Sequence, residues 1–167
     1  MSSLTEVPYA PRMGLLTPLA VKIGSWSFMP KLLPQITATD KALQRVTKGR
    51  VTVLRIAGLP NLTLTARGRK SGVPRSTPLL AVPRGQEWLI AGSNFGGPKQ
   101  PVWVVNVEAN PEVQITVKGR TSEVTARRLE GEEREQAWAD MLKVWPNYTV
   151  YAERTDRQIK VFELTPR

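Results

Sequence analysis

Leu62-Thr63-Leu64-Thr65-Ala66-Arg67-Gly68-Arg69-Lys70-Ser71-Gly72-Val73-Pro74-Arg75-Ser76-Thr77-Pro78-Leu79-Leu80 reads as a strand, a tight basic turn and a strand running back. Leu62 and Leu64 fall on one face and Thr63 and Thr65 on the other, the two-residue period of a half-buried strand. Gly68 and Gly72 bracket the turn, where a residue without Cβ accepts a positive φ and lets another group approach the backbone. Arg67, Arg69, Lys70 and Arg75 supply cations around the turn, and Ser71, Ser76 and Thr77 supply hydroxyls. Together with free backbone N–H groups they suit a phosphate or carboxylate, although a solvated basic hairpin tip would carry the same residues.

Outward from this stretch, charge is uneven. Residues 1–100 hold 14 Lys and Arg against 3 Asp and Glu, whereas residues 101–167 hold 10 against 11, within a net charge of +10. Such a basic half attracts anionic partners: nucleic acid, an acidic membrane surface or a polyanionic cofactor. No nucleic-acid recognition motif accompanies the charge, and Trp and Tyr are not interleaved with Lys and Arg as stacking platforms, so no nucleic-acid partner is expected. The chain has no His and no Cys. That removes Ser-His and Cys-His nucleophiles, imidazole acid–base chemistry, disulfides and His or Cys metal sites, and no metal is expected. Redox chemistry in such a chain falls to a bound cofactor, with the protein supplying binding, orientation and a proton donor. The lack of Cys fits a reducing cytosol, and no run nears the roughly 18 apolar residues of a membrane span. A cytoplasmic protein is expected, or one lying peripherally at the inner face of the cell membrane.

At 167 residues the chain suits a single core, read as a tail with a helical segment over 1–50 and a barrel over 51–167. Residues 1–13 form a loose tail. Leu15, Leu16, Leu19, Ile23 and Trp26 then recur at helical spacing, with Lys22 and Lys31 beside them and Pro30 and Pro34 as interruptions. Asp40 reads as the N-cap of a second helix from Lys41 to about Lys48, closed by Gly49. Residues 15–50 are either an amphipathic basic segment on an anionic membrane or helices packed on the domain. Val51–Ile56 reads as a β-branched strand. Thr77–Val82 and Glu87–Ser93 are strands joined through Pro83-Arg84-Gly85-Gln86, and Ser93-Asn94-Phe95-Gly96-Gly97-Pro98 is a strand-to-loop exit of the kind that lines ligand sites.

Pro101–Ala109 reads as a helix with Trp103 and Asn106 on one face, stopped by Asn110-Pro111. Glu112–Val117 and Ser122–Leu129 form a hairpin, Glu130–Val144 a helix with an acidic first turn, and Gln158–Leu164 a last strand. Between them Trp145, Tyr148 and Tyr151 recur every three residues. The sum is a mostly β chain with α elements (α+β), a small barrel of about six mainly antiparallel strands with packed helices.

Four blocks in order carry a family likeness: Gly68-Arg69-Lys70-Ser71-Gly72-Val73-Pro74-Arg75 with Pro78-Leu79-Leu80; Ala91-Gly92-Ser93-Asn94 with Gly96-Gly97; Pro101-Val102-Trp103-Val104-Val105-Asn106 with Ala109-Asn110-Pro111; and Tyr148 and Tyr151 followed by Thr155-Asp156-Arg157. Over about Val51–Pro166 the chain resembles the deazaflavin-dependent nitroreductase and quinone reductase family, which uses coenzyme F420 on a split β-barrel related to FMN-binding barrels. The resemblance implies an F420-dependent reductase that passes a hydride to a small-molecule electron acceptor: a quinone, a nitroaromatic or an activated alkene. It implies that Arg69, Lys70, Ser71, Arg75, Ser76, Thr77, Pro78, Leu79 and Leu80 cradle the cofactor, the cations meeting its phosphate and poly-glutamate arm. Ala91, Gly92, Ser93 and Asn94 form the ring-side loop, and Val102, Trp103, Val104, Val105 and Asn106 the adjoining helix start. Tyr148 is the ring-proximal tyrosine, a cofactor contact and proton donor; Ser93 and Tyr151 are further catalytic candidates. Trp145 stands where members that reduce bulky nitroimidazoles carry a tyrosine, which points toward quinone-type acceptors. The same barrel with FMN is the alternative, since FMN also carries a phosphate. Oligomeric state is left open.

Overall fold

The computed structural model describes residues 14–47 and 53–167. The tail 1–13, the end of the second expected helix at Lys48 and Gly49, and Val51 and Thr52 lie outside them. The N-terminal half of the chain opens with helices α1 (Thr17–Gly24), α2 (Met29–Thr47) and the single turn α3 (Val53–Ile56). Two expectations are corrected here. Residues 53–56 of the expected strand are helical, and the chain enters the barrel only at Asn61. Asp40 is no N-cap: α2 runs unbroken past it, and Asp40 is buried within the helix. Pro30 sits in the first turn of α2, where its missing N–H costs little; Pro34 forfeits only the bond back to Pro30, and the helix continues.

The strands follow: β1 (Asn61–Arg67), β2 (Pro74–Leu80), β3 (Val82–Arg84) and β4 (Glu87–Ala91). After a 3-10 turn at Asn94–Gly96 come α4 (Val102–Ala109), β5 (Glu112–Val117), β6 (Arg120–Leu129), α5 (Gly131–Val144), α6 (Asn147–Glu153) and β7 (Val161–Pro166). They form one seven-stranded sheet in the order β2-β1-β5-β6-β7-β4-β3, antiparallel at every pairing. The expected β-rich barrel with packed helices is therefore present, with seven strands for about six. The extra strand arises because the stretch 77–82, read as one strand, breaks at Ala81. Strands β2 and β3 are the two edges of the sheet, yet only Ala81 separates them in sequence. The sheet has to curl until its edges meet, and the Ala81 N–H secures the crossing by donating to the Pro60 carbonyl at 3.1 Å.

Curling gives the sheet two apolar faces. Leu62, Leu64, Val113, Ile115, Val124, Ile90, Phe162 and Leu164 fill the barrel, with Trp103, Val104 and Val107 of α4 closing one end. Leu89, Ala91 and Val161 point to the other face, under Ala137, Met141 and Val144 of α5 and Tyr148 and Tyr151 of α6. Strands β4 and β7 are thus covered on both sides, which is why Glu87–Ala91 shows a run of apolar residues rather than alternation. Burying each of the Val, Leu, Ile, Phe and Met side chains among them contributes about 1.5–3 kcal/mol.

The N-terminal helices are bonded to α6 over long sequence separations. Asn147 Nδ2 donates to the Val21 carbonyl at 2.6 Å, Tyr151 Oη to the Gly24 carbonyl at 2.9 Å, and the Arg154 guanidinium to the Ser25 carbonyl. Thr17 Oγ1 adds a bond to the Ala57 carbonyl at 3.3 Å. No helix among the described residues is long and apolar enough to cross a membrane.

Candidate active site

The basic turn is built as a receptor by local bonds. The β1–β2 register pairs Leu62 with Leu79 and Arg67 with Pro74, leaving residues 68–73 as the loop. Gly72 takes φ +67°, its N–H donates to the Gly68 carbonyl at 2.8 Å, and Ser71 Oγ accepts from the Val73 N–H at 3.3 Å. The Arg69 N–H donates to Asn106 Oδ1 at 2.9 Å, so buried Asn106 of α4 pins the turn to the barrel end. Asn106 is therefore the device that places the turn.

Next to the turn opens a cleft of about 840 Å³. Thr63, Thr65 and Ala66 of β1, Pro74–Pro78 of β2, Trp103 and Asn106 of α4, and Thr116 and Thr121 of the neighbouring hairpin line it, with Lys41 and Arg45 of α2 completing the wall. Among the described residues the lining contains three cations, Lys41, Arg45 and Arg75, and no carboxylate. Its hydroxyls hold one another in place: Thr65 pairs with Ser76 and Thr116 with Thr121, each at 2.8 Å. A second, more apolar chamber of about 250 Å³ shares Thr77, Pro78 and Trp103 with the cleft. Leu79, Leu80, Ala91, Ser93, Asn94, Trp145, Tyr148 and Tyr151 line it, together with Ile36, Asp40 and Leu54 from the N-terminal helices.

The ring-side loop is held by arginine. Arg157 donates to three backbone carbonyls, Gly92 at 3.0 Å, Ser93 at 2.8 Å and Gly97 at 3.2 Å. Burial pushes its guanidinium below the ordinary arginine value. The loop needs that clamp, because Asn94 and Phe95 both adopt positive φ, 47° and 52°, a conformation that costs about 1 kcal/mol or more per non-glycine residue. Asn94 Nδ2 closes the loop by donating to the Lys99 carbonyl at 2.9 Å. A Cβ on Gly92 would stand 2.6 Å from Val104 Cγ2, so glycine there lets β4 and α4 pack together.

The two tyrosines differ. Tyr151 Oη is committed to the Gly24 carbonyl, and burial pushes its pKa up to about 12. It anchors α1 to α6. Tyr148 is 3% exposed, packed against Trp138 at 5.3 Å and edge-on to Tyr151 at 6.1 Å between ring centroids. Its hydroxyl makes no hydrogen bond among the described residues, and the residue lines the chamber. Burial above all, then the neighbouring Tyr151, push its pKa above the ordinary tyrosine value. Ser93 Oγ is likewise uncommitted at the chamber wall.

Of the residues named from sequence, Arg75, Ser76, Thr77, Pro78, Trp103, Val102 and Asn106 line the cleft, while Leu79, Leu80, Ala91, Ser93, Asn94, Tyr148 and Tyr151 line the chamber. Arg69, Lys70 and Ser71 project from the turn outside both linings. Gly92, Val104 and Val105 also lie outside them, Val104 being fully buried in the barrel. Lys41, Arg45, Ile36 and Asp40 were not read as site residues; their i, i+4 spacing on one helix was the available signal.

The family model for F420H(2)-dependent quinone reductase matches residues 37–166. The chain belongs to that family. An F420H(2)-dependent quinone reductase of Mycobacterium tuberculosis is 36% identical over 142 residues, covering 80% of this chain and 91% of the relative. A solved F420-H2 dependent reductase, FDR-A, is 40% identical, covers 63% of this chain and 93% of its own, and superposes with a TM-score of 0.59. A solved domain-swapped dimer is 36% identical, with 76% of this chain and 93% of that one covered and a TM-score of 0.62. A haem-binding protein from Mycobacterium smegmatis, 18% identical at a TM-score of 0.51, shares the fold alone. As an F420H(2)-dependent quinone reductase family member, the chain is an F420-dependent oxidoreductase on a split β-barrel, and reduced coenzyme F420 is its cofactor. The site fits that group: a cationic, hydroxyl-lined cleft with no carboxylate among its described lining residues suits its anionic arm, and Trp103 and Pro78, where cleft and chamber meet, offer apolar surfaces to a flat ring.

Proposed function

We propose that the protein reduces a quinone-like acceptor held in the apolar chamber, with nitroaromatic or activated-alkene acceptors as further substrates of the same chamber. The observation that carries this reading is the uncommitted hydroxyl pair of Tyr148 and Ser93 on a chamber that shares its wall with the cationic cleft. Bound reduced F420 supplies a hydride. Arg75, Ser76 and Thr77 hold the anionic side of the site, and Trp103 and Pro78 flank the ring; the cations Arg69 and Lys70 on the adjoining turn lie outside its lining and add to the local positive charge. Ser93 donates a hydrogen bond to the acceptor oxygen on which charge builds. Tyr148 delivers the second hydrogen as a proton, so that a quinone gaining hydride and proton leaves as the hydroquinone. Its raised pKa keeps the phenol protonated throughout the neutral range, and transfer completes when the acceptor oxyanion is the stronger base. Tyr151 positions α6 beneath Tyr148 rather than touching substrate.

The acceptor in this reading is lipophilic, and α1 supports its delivery. Leu15, Leu16 and Leu19 are exposed, followed by half-exposed Trp26 and Phe28, with Lys22 and Lys31 beside them. This face docks on an anionic membrane surface. Co-sedimentation with anionic but not neutral vesicles, abolished by Leu15→Ser with Leu19→Ser, is the expected result; equal recovery in the supernatant would remove the membrane role alone.

The reading of function is tested by mixing F420H2-loaded protein anaerobically with a soluble quinone. Loss of reduced cofactor should match hydroquinone formed, and Tyr148→Phe should lower kcat about 100-fold with little change in F420 affinity. A protein that binds FMN but not F420, or a Tyr148→Phe variant with unaltered turnover, defeats it.

A further inference from the structure

Nothing at the tip of the Tyr148 side chain fixes its direction. The hydroxyl makes no hydrogen bond among the described residues, so packing alone sets the angle of the ring. Two rings do this: Tyr151, edge-on at 85°, and Trp138, tilted by 39° with the centroids 5.3 Å apart. Tyr151 is itself fixed at its far end by the Gly24 carbonyl. Trp138 is only half-buried and lies outside the lining of the chamber, so it needs a support of its own. Arg134, one turn earlier on α5, supplies it, with its guanidinium 5.1 Å from the centroid of the Trp138 ring. The guanidinium is held in turn, donating to the Ile159 carbonyl at 2.9 Å and to the Glu135 carboxylate at 2.7 Å. Arg134 is 8% exposed, and its Nε is buried without a partner among the described residues. An unpaired buried N–H costs stability, and so does desolvating the charge that carries it. An aliphatic side chain would fill this place at less cost, so the needs of the fold do not account for a guanidinium here.

We propose that Arg134 and Trp138 are positioning residues for Tyr148: Arg134 fixes the Trp138 ring, and Trp138 holds the phenol at the angle from which its proton reaches the acceptor. This rests on the reading of Tyr148 as proton donor given above. Neither residue lines the cleft or the chamber, so both act through Tyr148 rather than on the substrate. In the step they serve, the Tyr148 Oη–H bond breaks and an O–H bond forms on the acceptor oxyanion left by hydride transfer. The tyrosinate then regains its proton from water. Proton transfer falls steeply with donor distance and angle, and a misplacement of about 1 Å is enough to slow a step severely. The groups that hold the anionic side of the cofactor, Arg75, Ser76 and Thr77, lie on β2 and do not depend on the angle of this ring. Loosening the stack therefore lowers turnover and leaves F420 affinity in place.

The test is a double-mutant cycle on F420H2-loaded protein turned over anaerobically with a soluble quinone, with F420 titrated separately. Arg134→Met and Trp138→Leu should each lower kcat about tenfold while KM for the quinone and Kd for F420 stay within about threefold of wild type. Trp138→Phe, which restores a flat ring, should recover about half of the wild-type kcat or more. In a Tyr148→Phe background, Arg134→Met and Trp138→Leu should alter the residual kcat by less than about twofold, because the phenol they position is gone. A merely structural role lowers kcat equally in both backgrounds, and that result overturns the proposal. Unchanged kcat in Arg134→Met and Trp138→Leu overturns it as well. Should Trp138→Leu not fold, Arg134→Met and Trp138→Phe, which both keep an aromatic ring at 138, carry the same cycle. Tyr148→Phe with wild-type turnover defeats the donor reading, and this proposal with it, by a different result, so the two failures are told apart.

Discussion

The cleft and the β6–β7 region of the barrel use the same kinds of cation to different ends. Around β3, β6 and β7, Arg84, Arg127, Arg128 and Lys160 each have an acid. Arg127 donates to Glu133 at 2.7 Å and to buried Glu163 at 2.8 Å, and Arg84 reaches Glu163 at 3.7 Å. Glu108 takes both Lys160, at 2.7 Å, and Arg128, at 3.4 Å. On the cleft side Lys41, Arg45 and Arg75 find no carboxylate among the described residues. Charge that is neutralised in the fold stabilises it modestly; charge left unneutralised around a concave wall creates a potential that a ligand can use. Three cations therefore stand around the cleft without a neutralising acid among the described residues.

Charge reversal breaks the comparison most sharply. Arg75→Glu should raise the Kd for F420 roughly 100-fold, equivalent to losing one charge-assisted contact of about 2–3 kcal/mol, with Tm unchanged. Arg127→Glu, the matched change on the paired face, should leave F420 titrations as they were; a weakened Kd there would mean that net charge rather than placement governs binding. Next in size, Arg127→Ala leaves Glu163 buried with only the distant Arg84, and urea unfolding should report a loss of about 1–3 kcal/mol. An unaltered midpoint would show that Glu163 needs no partner.

Salt gives a smaller separation. Raising ionic strength from about 0.01 M to 0.1 M shortens the screening length from about 30 Å to about 10 Å, so F420 affinity should fall several-fold while the midpoint for unfolding barely moves. Insensitivity of F420 binding to salt would place its acidic arm away from the cleft.

The smallest expected effects are with pH. Hydrogen bonding to Arg127 holds Glu133 below the ordinary carboxylate range, so its stabilising share is present above the unfolded value and lost as pH falls through the lowered one. Tyr148 and Tyr151 are raised by burial, so their contribution is complete below about pH 10 and lost as pH rises toward the folded values. A tyrosinate absorbance rise from two residues near pH 10 would contradict the burial of the pair.

Much of the frame was legible because it is local. Period-two residues at 62–65, a basic turn bracketed by glycines, and Lys118-Gly119 at the next hairpin, both at positive φ, lead to strands where they were expected. The helices 102–109 and 131–144 follow from Pro101 at one start and an acidic first turn at the other. What misled was local pattern without its neighbours. Val53–Ile56 has β-branched residues, yet the seven-stranded sheet is built without it, and it turns instead as α3 beside α2. Asp40 has a cap's chemistry, but α2 docks along the site and its hydrogen bonding continues through that position. The site was half legible: Arg75–Leu80, Ser93 and Tyr148 line it, whereas Lys41 and Arg45 belonged to a segment read as tail and helix.

By itself the sequence determined the strand periods, the turn chemistry, the surplus of cations in the first hundred residues and, through its lack of His and Cys, the need for a borrowed redox group. Tertiary structure alone decided which groups remain available. Tyr151 is spent on Gly24, 127 residues away, and Arg127 on Glu163, 36 residues away, while Tyr148 and Arg75 find no such partner among the described residues. A hydroxyl or a cation is free only if the folded chain brings nothing to it. That condition depends on long-range neighbours, which local spacing along the chain does not encode.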